Sequence, residues 1–150
     1  MMRKLLRLGL LLGVLGALTT AVGASVAYAN DHQKNATDSF VDVIDCTGNL
    51  YNITITYNEV IHEANGKFTI TQTGSFVATP VAAGQAASGH FTFWGNFHQN
   101  TDGSFAGAFT FHTNGKYADG TPFSLHQQGQ FKADSLGNTI KDRFHDSCAA

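Results

Sequence analysis

The sequence predicts an all-β domain, a small antiparallel meander of seven to eight strands closed as a β-barrel, with a two-sheet β-sandwich as the alternative. Three observations carry this. Beyond about residue 38 apolar and polar residues alternate with the period of a strand. Explicit Gly/Asn/Asp turns break that alternation at regular intervals. The two cysteines, Cys46 and Cys148, stand near the two ends of the patterned region.

The turns define the strands. Gly48-Asn49 fits a two-residue hairpin loop, which places Cys46 opposite Tyr51 and Ile44 opposite Ile53. Asn65-Gly66 has type I′ chemistry and sets Glu59 opposite Gln72 and Ile61 opposite Ile70. Asn100-Thr101-Asp102-Gly103-Ser104 and Tyr117-Ala118-Asp119-Gly120-Thr121 fit three-residue loops with glycine in the left-handed position. Asp134-Ser135-Leu136-Gly137 fits a four-residue loop. Seven strands follow, over about 39–46, 50–62, 67–78, 89–99, 104–116, 121–132 and 138–147. The connection Thr79 to Ser88 is long, and serves either as a lid or as a plain surface loop.

Aromatic and glycine positions test these registers. Phe93 faces Phe111, Phe109 lies between Gly95 and Gly129, and Phe131 faces Gly107, so large rings fill the space that glycines leave. One face then carries Phe68, Ile70, Phe76, Phe91, Phe93, Phe97, Phe109, Phe111, Phe123, Leu125, Phe131, Ile140 and Phe144, and forms the core. The chain is expected to divide into residues 1–29, a polar flexible leader over 30–38, and a single domain over 39–150.

Residues 1–29 have a basic start, an apolar run to about Val26 and the small-x-small triplet Ala27-Tyr28-Ala29. This is the pattern of a secretory signal peptide cut after Ala29, the alternative being a retained anchor. Export makes Cys46 and Cys148 a disulfide pair. Of nine basic residues against eleven acidic ones, Arg3, Lys4 and Arg7 fall in the removed segment. The exported chain is therefore acidic, which argues against nucleic acid or a membrane surface as partner and for an extracellular ligand or protein.

Ile55-Thr56-Tyr57-Asn58, Thr71-Gln72-Thr73-Gly74-Ser75-Phe76-Val77-Ala78 and Phe91-Thr92-Phe93-Trp94-Gly95, with a terminal Cys148, resemble phrases of small secreted actinobacterial β-domain proteins. The resemblance spans most of the exported chain. It implies a secreted bacterial β domain and supplies neither an activity nor a site residue.

Three constellations are candidates for chemistry. The expected registers put His112 opposite His126 and His126 opposite His145, a row at about 4.5–5.5 Å between Cβ atoms that could converge on Zn²⁺ or Cu²⁺. The competing reading is a solvated face, and Arg143 nearby disfavours a cation. No other cofactor is expected. Glu59, Gln72, Gln127, Asp142 and Asp146 fall on the core face, where carboxylates must pair, reach a rim or line a cavity. Glu59 with Asp142 could serve as an acid/base pair, with Asp142 opposite Gly129. Trp94, the only tryptophan, lies on the polar face between Thr92 and Asn96 and could stack on a sugar or another flat ligand, unless the Thr79 to Ser88 loop covers it. With Gln72 and Gln127 it makes up the expected ligand-binding set. The leading functional expectation is a secreted non-enzymatic binding or interaction protein. A barrel enzyme of cyclase or isomerase type, by analogy with lipocalin-like and dirigent-like barrels, and a metal-binding protein are the rivals.

Overall fold

A computed structural model describes residues 30–44 and 47–149 of the chain; the expected signal peptide and Cys46 lie outside the described residues. Seven strands follow one another: β1 (Asn30–Asp42), β2 (Tyr51–Ala64), β3 (Lys67–Pro80), β4 (Ala87–Gln99), β5 (Phe105–Tyr117), β6 (Pro122–Ala133) and β7 (Thr139–Ala149). Each pairs antiparallel with the next in a single sheet of order β1-β2-β3-β4-β5-β6-β7. The meander is as expected, but the sheet does not close, and β1 and β7 are its two edges.

The turn chemistry explains most of the register. Asn65 and Gly66 both have positive φ, 53° and 71°, as a type I′ turn demands. Glu59 pairs with Gln72 and Ile61 with Ile70. Gly103 and Gly120 are left-handed, and Asp102 and Asp119 cap their turns by accepting the backbone N–H of Ser104 at 2.8 Å and of Thr121 at 2.9 Å. Hydrogen bonds from the Ser104 side chain and then its N–H hold the exposed Asp102 carboxyl below the usual carboxylate range, and those from the Gln85 side chain and then the Thr121 N–H do the same for Asp119. Phe93 pairs with Phe111, Gly95 with Phe109, Phe109 with Gly129 and Gly107 with Phe131, as expected.

Two registers differ. The last turn is a three-residue loop, not a four-residue one: Asp134 N–H donates to the Asn138 carbonyl at 2.9 Å, and Gly137 N–H to the Asp134 carbonyl at 3.0 Å. It repeats the bonding of the Asn100–Ser104 turn. A one-residue change of register would turn Phe144 out of the core. A bulge next to Ala133 adds one residue and restores the face, so Phe144 pairs with Gly129. The extra residue puts Ile140, expected in the core, on the surface at 61% exposure. The net slide of two residues sets Gln128, not His126, opposite His145, and Phe131, not Gly129, opposite Asp142.

At the other end, Asp42 pairs with Tyr51 and Phe40 with Ile53, so the chain between β1 and β2 is a longer loop than Gly48-Asn49 alone. Ile44 leaves the ladder and buries itself with Tyr51, Ile53, Phe76, Ala78, Ala87 and Phe123. That slide of four residues draws residues 30–38, expected as a leader, into β1. The strand is interrupted by a bulge after Gln33, where Asn35 takes φ 54° and its N–H donates to Asn58 Oδ1 at 3.1 Å.

The inner face is a phenylalanine core in two clusters. Ile44, Tyr51, Ile53, Phe76 and Phe123 anchor one; Ile70, Phe93, Phe97 and Phe109 anchor the other. Fully burying each such side chain contributes about 1.5–3 kcal/mol. Row by row, rings reach over glycines: Phe76 and Phe123 stand on either side of Gly89 and Gly115, and their ring centroids are 6.3 Å apart.

The open seam has a physical reason. Both edge strands carry a bulge. By register Asp31, Asp38 and Asp42 of β1 and Asp142 and Asp146 of β7 fall on the inner face. Inward-facing charge and bulges are devices that stop a strand edge from pairing. Closing the barrel would bring these two carboxylate rows together. Within β1 the Asp38 carboxylate is satisfied, accepting the Tyr57 hydroxyl at 2.6 Å.

Candidate functional site

The outer faces of β4, β5 and β6 build the site. Trp94 pairs with Thr71 on β3 and Thr110 on β5, so threonines flank its ring and it stays 46% exposed. Two residues along, Asn96 pairs with Ala108, and Ala108 with Gln130. Next in line, His98 pairs with Ala106, and Ala106 with Lys132. The middle strand thus presents Ala106-Gly107-Ala108, three small residues in succession, between long side chains on both neighbours. The consequence is a groove of about 540 Å³ lined by Trp94, Asn96, Ala106, Gly107, Ala108, Gln130, Phe131 and Lys132. Its floor is the two small alanines Ala106 and Ala108, one wall is an indole and an amide, and the other is an amide and an ammonium.

The 81–86 connection does not cover the tryptophan. Gln85 Nε2 donates to Asp119 Oδ2 at 2.8 Å, and Asp119 N–H donates to Gln85 Oε1 at 3.2 Å. These bonds tie the connection to the β5–β6 turn, at the far end of β4 from Asn96 and His98. Beyond the groove, His98 Nδ1 is buried without a hydrogen-bond partner. A buried polar atom without a partner costs about 1–3 kcal/mol.

The other candidates assemble only in part. His112 and His126 pair directly, with ring centroids 5.9 Å apart in an edge-to-face arrangement. His145 stands opposite Gln128, so the expected three-histidine row is broken at its third member. Among the described residues no group of three His, Cys, Asp or Glu side chains could hold a metal ion. Glu59 is buried and accepts the Gln72 side-chain amide at 2.5 Å. Asp142 lies exposed on β7 with four strands between it and β2, and Asp146 is exposed opposite Gln127. Glu59 and Asp142 are therefore not brought together as an acid/base pair. Gln72 and Gln127 face the core side, whereas Trp94 faces out, so the expected ligand-binding set is split across the sheet.

Sequence reasoning missed the walls and floor around Trp94. The signal was present in Ala106-Gly107-Ala108, an interruption of side-chain bulk beside the strand that holds the lone tryptophan. The chain matches no protein-family model, no curated protein and no solved structure.

Proposed function

We propose that this chain is an exported, non-enzymatic binding protein that holds a sugar ring of a glycan in the Trp94 groove. The observation that carries the reading is a half-exposed indole walling a groove with a floor of small alanines and amides on both sides. An indole face stacks on the C–H face of a sugar, while Asn96 and Gln130 offer donors and acceptors to its hydroxyls. A site of this kind needs no catalytic group. Export rests on the pattern of residues 1–29, with cleavage after Ala29. A bridge between Cys46 and Cys148 belongs to the same reading. In its favour, no free cysteine occurs among the described residues, and Ile44 shares a cluster with Phe123, two residues from the partner of Cys148.

The single tryptophan makes the test direct, because all indole emission comes from the groove. Titration with cello-, chito- and galacturono-oligosaccharides is expected to give a saturable shift of emission with at least one series. Ala108→Gln, which raises a side chain from the floor, is expected to abolish it while the circular dichroism spectrum is unchanged. No emission change with any series, or full binding by Ala108→Gln, would overturn the assignment.

A further inference from the structure

The registers sort charge by face. All seven histidines, His32, His62, His90, His98, His112, His126 and His145, fall on the outer face, together with Lys67, Lys116, Lys132 and Arg143. Every strand carboxylate of the described residues, Asp31, Asp38, Asp42, Glu59, Glu63, Asp142 and Asp146, falls on the inner face. Asp102, Asp119 and Asp134 sit in turns at the strand ends. A chain that is acidic on average therefore presents one broad face without a strand carboxylate.

The groove lies within that face, and its charge is concentrated at one end. Trp94 stands at one end; at the other, Lys67, His98, Ala106 and Lys132 form one cross-strand row. The cationic groups stand on both sides of the small Ala106. Arg143 pairs with Gln130 and backs the β6 wall. His98 Nδ1, buried and unpartnered, belongs to the same row.

From this we infer that the ligand of the groove is an acidic polysaccharide, one whose sugar rings carry carboxylates. The inference rests on the glycan reading of the Trp94 groove and names its substrate class. A ring stacked on Trp94 directs a carboxylate along the floor toward His98, Lys132 and Arg143, where ammonium and guanidinium groups give charge-assisted bonds. Neighbouring acidic rings along the chain meet the remaining cations of the face. Single-stranded nucleic acid also combines charge with rings that stack on an indole, and the oligodeoxynucleotide arm of the test separates the two polymers. Imidazoles gain protons in mildly acidic solution, while uronic carboxylates stay ionised. The groups facing His98 are Lys67 on β3, Asn96 on β4 and Lys132 on β6, with Asp102 in the turn beyond.

The test measures binding of polygalacturonate, a neutral glucan of matched length, a single-stranded oligodeoxynucleotide and phosphatidylglycerol vesicles. Polygalacturonate is expected to bind tightest, with affinity falling about tenfold between pH 5.5 and 7.5 and again between about 50 and 300 mM salt. Lys132→Ser with Arg143→Ser is expected to lose about tenfold while circular dichroism is unchanged. The wild-type salt and pH profiles need no variant, so a misfolded double variant leaves the test intact. Equal binding of the neutral glucan without salt or pH dependence overturns the acidic class and leaves the glycan groove standing. Tighter binding of the oligonucleotide or of vesicles overturns the polysaccharide assignment. Polygalacturonate binding that Ala108→Gln leaves unchanged overturns the groove itself.

Discussion

Asp42 shows how a single carboxylate is held at the margin of the core. It closes β1 opposite Tyr51, and Asp42 Oδ1 accepts the Val43 N–H at 2.7 Å as the chain leaves the ladder. Burial pushes its carboxyl up, and the hydrogen bond from Val43 only partly offsets this. A raised folded-state pKa means that the fold favours the protonated form, so the contribution of this group is greatest in acid and is lost as pH rises through the folded value. Asp42→Asn keeps an acceptor for Val43 and removes the charge. Thermal melts are expected to show a gain of a few degrees at pH 7 that vanishes below the carboxylate range. A variant that melts lower than the parent at pH 7 would show that the charge itself is needed.

On the scale of elements, β5 and β6 show how rings and glycines specify pairing. A Cβ at Gly129 would run into the Phe109 ring and lie 2.9 Å from the Phe144 ring. The glycine is thus the space into which β5 and β7 both send a phenylalanine, with centroids 5.9 Å apart. Gly129→Ala must displace one ring, at a cost of about 1–3 kcal/mol by overpacking. Denaturant melts are expected to move by that amount, and Phe144→Leu in the same chain is expected to recover part of it. Unchanged stability in Gly129→Ala would mean that the rings do not meet across this position. The β6–β7 turn carries the complementary lesson. Its glycine in third place repeats the grammar of the two preceding loops, and the bulge that follows is the way a three-residue loop is reconciled with an inward Phe144. A loop length read alone cannot reveal a compensating bulge, which is why His145 and Asp142 were expected opposite the wrong partners.

For the whole molecule, the open seam and the sorted charge are one design. Carboxylates on the inner side of β1 and β7 protect two unpaired edges, and the absence of strand carboxylates from the outer face leaves that face cationic. Replacing Asp142 and Asp146 together by valine extends the apolar inner stripe to the β7 edge. Such an edge is a template for another strand. Light scattering is expected to show concentration-dependent self-association of the double variant at pH 7, and none of the parent chain. A variant that stays monomeric at the same concentrations would relieve these carboxylates of a protective role.

Alternation, turn residues and ring-glycine complementarity were enough to define an antiparallel meander and the registers of three of its six pairings, because each is a local property read within one hairpin. The same information placed Trp94 outside, paired His112 with His126 and set Glu59 against Gln72. What only the tertiary structure decided was long-range or cumulative. Ile44 chose the core over the ladder and so drew residues 30–38 into β1. A bulge reset the last register. The two edges stayed apart, because closure depends on charges that meet only when strands from opposite ends of the chain approach. The groove beside Trp94 likewise exists only when β4, β5 and β6 lie side by side, since its floor, its two walls and its cations come from three separate stretches of sequence.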